Sequence, residues 1–230
     1  MQEQEGVKVA IFDLDGTLVR SHLWLGLLKH NLQFKKNILW GFLYLIVHMA
    51  LTPLWLVRLL SKEKYYRFWG EHTSWMIKGL KQNEIEKVFN WLSDNYLLPT
   101  VKQTIFERLK NHQKEGFLTI LTSGSFEGLL KIIANRLKID FVVGTRLEIF
   151  KEKFTGKIIP PLCFARDKVK RIKYLIQDEN LNINFKKSFA YSDSIFDLPL
   201  LKLTGLPVVV DPDEELLKIA KNKDWTILKT

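Results

Sequence analysis

The chain has 230 residues, 47% of them hydrophobic, with one cysteine and a formal net charge of +10. A single cysteine excludes an intrachain disulfide framework, and the apolar content supports one substantial core with room for a smaller second unit. The positive balance favours anionic partners such as phosphorylated substrates, acidic lipid surfaces or nucleic acid; no DNA- or RNA-binding motif is present, so nucleic acid is not expected.

The opening MQEQEGVKVA lacks the basic and then apolar regions of a secretory signal, and a cytoplasmic chain is expected. Residues 7–12, VKVAIF, read as a buried strand that runs into Asp13 and Asp15. Side chains alternate along a strand, so these two acids share a side. Held that close, each makes the other harder to ionise. They are either solvated turn acids or a cation site, since a divalent ion turns their repulsion into attraction.

Residues 20 to about 94 are rich in Leu, Trp and Phe and read as helices, an insertion between the first strand and the rest. From Asp15 to Glu63 there is no acid, while Arg20, Lys29, Lys35, Lys36, Arg58 and Lys62 all fall there. Within it, ILWGFLYLIVHMALTPLWLV at 38–57 carries no formal charge and has about the ~20-residue length of a bilayer span.

The segment LPTVKQTIFERLKNHQKEG is a helix that stops at Gly116. FLTILTSG at 117–124 is a second strand ending in Ser123 and Gly124, with a helix expected over 126–138 for which Ser123 would also serve as an N-cap. Residues 145–158, TRLEIFKEKFTGKI, suggest a β-hairpin around a Gly-containing turn. A helix at 166–177 carries Lys168 near its start, flanked by Arg166 and Lys170. KSFAYSDS at 187–194 and LPVVVDPD at 206–213 are further strands, followed by a helix at 214–223.

Strands alternating with helices at this spacing predict an α/β fold, a doubly wound parallel sheet with helices on both faces. Ligands in such sheets bind beyond the carboxyl ends of the strands. There the chain collects Asp13, Asp15, Gly16, Thr17, Ser123, Gly124, Asp193 and Asp197, with Lys168 leaning over the same edge. Carboxylates suit Mg²⁺, which prefers oxygen ligands. One carboxylate can act as a nucleophile toward phosphorus, a second as general acid and base, and an ammonium and a hydroxyl can hold the phosphoryl oxygens. As mere structure, Asp197 would be a helix-start acid and Cys163 an inert small side chain; the five histidines show no ligand spacing.

DLDGTL, LTSGS, Lys168 and YSDSIFDLPLL occur in the order of the four motifs of the haloacid dehalogenase-like (HAD) phosphohydrolases, which the chain resembles over roughly 7–19 and 95–225. The resemblance is to the branch containing phosphoserine phosphatase, whose helical cap lies between the first two motifs. It implies a catalytic core of 1–19 and 95–230 with a helical cap at 20–94. It further implies Asp13 as nucleophile and Mg²⁺ ligand, and Asp15 as general acid/base that reaches the metal through its backbone carbonyl. Ser123, the Gly124 amide and Lys168 would bind the phosphoryl group; Asp193 would ligate the metal and Asp197 orient it from behind or through water. The second acid, Asp15, implies hydrolysis, because dehalogenating relatives lack it. Phosphoserine phosphatases carry an acid after the first motif to pair with the substrate amine, whereas LVRSHLW here has Arg20 and His22. The same branch contains phosphatidylglycerophosphate phosphatases with an apolar segment at this position, which implies a lipid phosphate substrate. A soluble small-molecule phosphatase, a phosphotransferase, and a non-enzymatic basic protein seeking membrane or nucleic acid are the alternatives.

For 38–57 a single crossing is excluded on the enzyme reading, because it would part Asp13 from Ser123, Lys168 and Asp193. It remains either the buried core of the cap, as two short helices bent near Pro53, or an interfacial segment dipping into one leaflet, or a face buried against a second subunit. Its lack of a polar face points to membrane contact, and the surrounding lysines and arginines suit an anionic lipid surface.

Overall fold

The computed structural model describes residues 6–230, so the MQEQE part of the signal-peptide reading lies outside the described residues. A seven-stranded sheet in the order β4-β3-β2-β1-β5-β6-β7 organises the molecule. The strands are β1 (Val9–Asp13), β2 (Leu118–Phe126), β3 (Phe141–Phe150), β4 (Lys153–Ile159), β5 (Phe189–Ser192), β6 (Leu206–Val210) and β7 (Thr226–Leu228). All neighbours pair parallel except the β3–β4 edge hairpin. This is the expected α/β doubly wound sheet.

The central strand VAIFD is buried at every position, as a parallel strand covered on both faces must be. Its side chains alternate between two cores. Val9 and Ile11 join one with Ile120, Ile172, Val209 and Leu216; Ala10 and Phe12 join the other with Leu121, Leu129 and Leu109. Phe12 is level with Tyr191 in the β1–β5 register, and the two rings stack at 4.5 Å. The first core is covered by α7 (Arg166–Asp178), α8 (Leu198–Leu201) and α9 (Glu214–Asn222), the second by α5 (Gln103–Lys114) and α6 (Glu127–Leu137).

Between β1 and β2 the chain forms α1 (Leu23–Gln33), α2 (Ile38–Leu56), α3 (Lys62–His72) and α4 (Gln82–Leu92). Their buried residues Leu27, Tyr44, Ile85, Val88 and Phe89 are continuous with the α5–α6 core. The β3–β4 hairpin clasps them from the sheet side. Phe154 exchanges backbone hydrogen bonds with Gly79 and Leu80 at 2.7 and 2.9 Å, and the Ser74 hydroxyl donates to the Gly156 carbonyl at 2.8 Å. The hairpin does not turn at its glycine. The reversal is at Lys151–Glu152, with φ of +47° and +62°, the paired positive values of a tight two-residue hairpin turn; Gly156 lies inside β4.

The option of two short helices bent near Pro53 is not realised, since residues 38–56 form one helix. Pro53 falls in its last turn, Thr52 Oγ1 donates to the His48 carbonyl at 2.8 Å, and the helix runs on to Leu56. Having no N–H, Pro53 forgoes the intrahelical hydrogen bond to the carbonyl four residues before it. Among the described residues it is the one helix long and apolar enough to cross a membrane, with mean hydropathy 1.6 and 17% of its length buried. That exposure rules out the buried-core alternative.

Candidate active site

The sheet register brings the polar groups together. Asp13 is level with Thr122 on β2, and Phe12 with Tyr191 on β5, so Ser123 and Asp193 emerge just beyond Asp13 on either side. Between β1 and β5 the connections leave in opposite directions across the sheet, the switch point where open α/β sheets form a crevice.

After Asp13 the chain turns tightly, with the Gly16 amide donating to the Val19 carbonyl at 2.9 Å. Gly16 has φ +83°, and an added Cβ would lie 2.9 Å from Asp193 Cγ and closer still to its Oδ2. Only glycine fits both the left-handed backbone and the approach of β5. The Thr17 hydroxyl donates to Asp193 Oδ1 at 3.0 Å. Lys102, 4% exposed, donates from Nζ to the Gly16 carbonyl at 2.5 Å and pairs with Asp211 at 2.8 Å, locking the turn to the ends of β6 and α5.

Asp15 is held on both carboxylate oxygens. Oδ1 accepts the Leu23 amide at 2.8 Å; Oδ2 accepts the hydroxyls of Ser123 at 2.9 Å and Ser125 at 2.8 Å. Ser123 is therefore no helix N-cap. The N-cap of α6 is Phe126, without a side-chain bond, and the β2–β3 register shifts between Thr122 and Phe126. That bulge turns both serines toward Asp15. The Ser125 amide also donates to Ser123 Oγ at 2.9 Å, and the Gly124 carbonyl accepts from Thr145 at 2.8 Å.

Lys168, in the first turn of α7, is the basic residue at the centre. Its ammonium lies 2.6 Å from Asp13 Oδ1 and 2.7 Å from Asp197 Oδ2, with all three side chains buried. The neighbouring Lys170 pairs with Asp167 and is largely exposed. Asp197 accepts a further hydrogen bond from the Ser192 hydroxyl at 2.7 Å and accepts none from the backbone of the helix it precedes. Burial alone would lower the Lys168 pKa, but Asp13 and Asp197 together raise it, so it stays charged. Asp13 is pushed well above the usual carboxylate range by burial, against the pull of Lys168 and with a push from Asp197 and Asp193. Asp193 is pushed up to about 6 by burial and the Asp197 charge.

Three acids thus face one ammonium, and that ammonium is spent on Asp13 and Asp197. Asp13 Oδ2 makes no hydrogen bond among the described residues, and Asp193 has only Thr17 as a side-chain partner. This excess of buried negative charge on hard oxygen donors fits a divalent cation. Among the described residues no three His, Cys, Asp or Glu side chains form a complete cage, so an ion would be held by few carboxylates with water and phosphate, the usual arrangement for Mg²⁺. Cys163, fully buried with its thiol pushed up to about 11 by burial, is inert. His30, His48 and His112 are buried in the cores.

Sequence reasoning passed over Ser125, Ser192 and Lys102, and placed Thr17 at the strand edge without giving it a role. Ser125 had a signal, standing two residues after Ser123 on the same strand; Lys102 had none, because its contacts lie 86 and 109 residues away.

The family model for haloacid dehalogenase-like hydrolases matches residues 10–202. The chain belongs to that family. It is 28% identical to a histidinol-phosphatase from Neisseria meningitidis, over 96% of this chain and 97% of that one. It is 27% identical to the phosphoserine phosphatase SerB1 of Mycobacterium tuberculosis, over 95% of this chain and 69% of that one. A crystal structure of a protein of unknown function from Bordetella pertussis superposes with TM-score 0.80 at 20% identity, covering 97% of this chain and 98% of that one; this likeness is one of fold. Family and relatives together make the chain a HAD-type phosphatase, a phosphoric monoester hydrolase.

Proposed function

We propose that the chain hydrolyses a phosphomonoester in two steps through Asp13. The observation that carries this reading is the convergence of Asp13, Asp15, Ser123, Lys168, Asp193 and Asp197 on one edge, with Asp13 Oδ1 tied to Lys168 and Oδ2 left free. The free oxygen of Asp13 attacks phosphorus as the bond to the leaving oxygen breaks, and Asp15 gives that oxygen its proton. Asp15 then takes a proton from water, whose oxygen attacks phosphorus; the bond to Asp13 breaks and inorganic phosphate leaves. Lys168 holds Asp13 in place and offers positive charge where negative charge builds on the phosphoryl oxygens. The Ser123 hydroxyl exchanges Asp15 for a phosphoryl oxygen, beside the Gly124 amide, and Ser125 keeps Asp15 in position meanwhile.

Asp13 and Asp193 would hold Mg²⁺ by their carboxylates, with the Asp15 carbonyl, while Asp197 acts from behind through Lys168 and Ser192. Bound there, the ion supplies charge neutralisation that lets an anionic substrate approach an anionic nucleophile. We assign residues 20–94 as the cap over a core of 1–19 and 95–230, with Tyr66 of α3 meeting Phe196 at 5.1 Å across the site's rim. The substrate is a phosphorylated small molecule, soluble or lipid-borne. The stretch after the first motif, where phosphoserine phosphatases carry an acid, holds Arg20, which donates to the Thr230 carbonyl at 3.1 Å, and His22 instead, which disfavours an amino-acid phosphate.

The test is Asp13→Asn with an aryl phosphate as substrate. Hydrolysis falls by at least ~10⁴-fold with the melting curve of a folded protein retained; beryllofluoride attaches to the natural chain when Mg²⁺ is present and not to the variant. Comparable turnover in the variant overturns the reading.

A further inference from the structure

The outer face of α2 finds no partner within the chain. Leu39, Phe42, Leu43, Ile46, Met49 and Leu54 are 76%, 53%, 38%, 62%, 71% and 42% exposed, and no polar residue interrupts them on that face. A surface helix of a water-soluble protein carries its polar residues there, and a continuous apolar patch of this kind marks a contact with something apolar. The opposite face is firmly attached. Gly41, Tyr44 and His48 are buried; Tyr44 and His48 pack on Trp69 of α3 at 5.2 and 4.5 Å, and the Tyr44 hydroxyl donates to the Trp69 carbonyl. A helix of this length measures ~28 Å, enough to cross a bilayer, but crossing would strip it from α1 and α3, both of which carry charged side chains. Its apolar side is available only to something lying along it.

Charge selects the occupant. At the two ends of α2, Lys35, Arg58 and Lys64 are exposed and make no salt bridge among the described residues. From residue 16 to 62 there is no carboxylate to face them. Glu63, just beyond, is paired with Arg67. A second copy of the chain fits badly, because an isologous interface must be complementary to itself and would bring basic ends against basic ends. An acidic lipid surface is complementary on both counts, apolar beneath and negative at the rim. Trp40 and Trp55, half-buried near the two ends, have the amphipathic rings that settle at headgroup level. Trp40 carries the Lys78 ammonium 4.2 Å above its ring.

We propose that α2 lies in the plane of an anionic membrane, its Leu39–Leu54 face immersed among the acyl chains and Lys35, Arg58 and Lys64 against the lipid phosphates, so that the protein is a monotopic membrane-surface protein. This goes beyond the reaction assigned to Asp13 and is independent of it.

The test is flotation of the full chain with vesicles of phosphatidylcholine alone, or of phosphatidylcholine and phosphatidylglycerol in equal parts. The natural chain floats with the anionic vesicles at least ~10-fold more than with the neutral ones, and less as salt is raised. The variant L39Q/I46Q/M49Q, altered only at exposed positions, loses flotation on both. The variant K35A/R58A/K64A loses the preference for anionic vesicles. Hydrolysis of a soluble aryl phosphate by the natural chain and both variants is equal, which separates the surface from the catalytic reading. Failure of the natural chain to float, flotation unchanged in the glutamine variant, or a dimer in solution that the glutamine variant dissociates without any flotation, each overturns the proposal.

Discussion

Replacing Lys168 by methionine separates the catalytic and structural roles of the buried charge cluster. The ammonium is 4% exposed and sits 2.6 Å from Asp13 and 2.7 Å from Asp197, whose side chains are 7% and 4% exposed. Methionine fills nearly the same volume, so the loss is electrostatic and leaves two carboxylates in a buried site with no cation. Breaking a buried pair by removing one partner costs about 3–5 kcal/mol. For a chain of this size that is a melting temperature lowered by ~6–20 °C. The measurement is a thermal melt followed by circular dichroism with EDTA present, so that no bound metal replaces the missing charge. The double variant K168M/D197N removes one of the stranded carboxylates. It is therefore more stable than the sum of its single changes implies, with a coupling of ~1–3 kcal/mol. Hydrolysis is lost in both variants. A K168M melting temperature within ~2 °C of the natural chain, with additive single and double effects, would refute the argument that Lys168 is what keeps these acids buried.

Gly16→Ala forces a Cβ into the Asp193 carboxylate at φ +83°; it lowers stability by ~1–2 kcal/mol and removes Mg²⁺-dependent activity, measured by melting and aryl phosphate hydrolysis. Ser125→Ala deletes one of three donors to Asp15. A hydrogen bond to a charged group is worth ~1.5–3 kcal/mol, so kcat falls ~10- to 150-fold with KM nearly unchanged; an unchanged kcat would show that Ser125 does not position Asp15. His72 is pushed down to about 4, first by burial and then by His48. Its contribution is present above the ordinary histidine range and is lost as pH falls from about 6.5 toward 4, because there the unfolded chain binds the extra proton. The melting temperature therefore drops through that window, and His72→Phe flattens the drop.

How far the site could be read from the sequence depended on where each residue's partners lie. Asp13 and Asp15 are readable because their geometry is local, set by the two-residue alternation of β1 and the turn at Gly16. Asp193 and Ser123 follow once β5 and β2 are recognised as parallel neighbours of β1, since the register then carries their strand ends to the same edge. The contacts that fix the site's electrostatics are of another kind. Lys102 reaches Gly16 across 86 residues and Asp211 across 109, and Lys168 reaches Asp13 across 155; nothing in the residues around a lysine distinguishes one that is buried between carboxylates from one in water. The family motif singled out Lys168 from Arg166 and Lys170, and no motif marked Lys102. The hairpin shows the converse error. Gly156 looked like the turn residue because glycine supplies positive φ at no cost, yet Lys151 and Glu152 take it, since the pairing of Ile149 with Phe154 and Phe150 with Lys153 leaves only those two residues to close the loop.

The helix α2 marks where periodicity stops being informative. With no charged residue to report which side faces inward, ILWGFLYLIVHMALTPLWL is compatible with a buried core, a membrane surface or a subunit contact. The deciding facts are the few positions where the backbone comes close to its neighbours. Gly41 admits Leu28 of α1, and Tyr44 meets Trp69 of α3 edge to face while His48 packs on it at a tilt. These positions fall within one turn or two of each other and define a single stripe. A stripe that narrow leaves most of the helix surface uncovered, and it does so with leucine, isoleucine, phenylalanine and methionine. Burying each such side chain is worth ~1.5–3 kcal/mol relative to leaving it in water, so the uncovered face represents a free energy that only an external apolar phase or partner recovers. That is why the anionic bilayer, which matches both this face and the basic ends beside it, is the surface to test first.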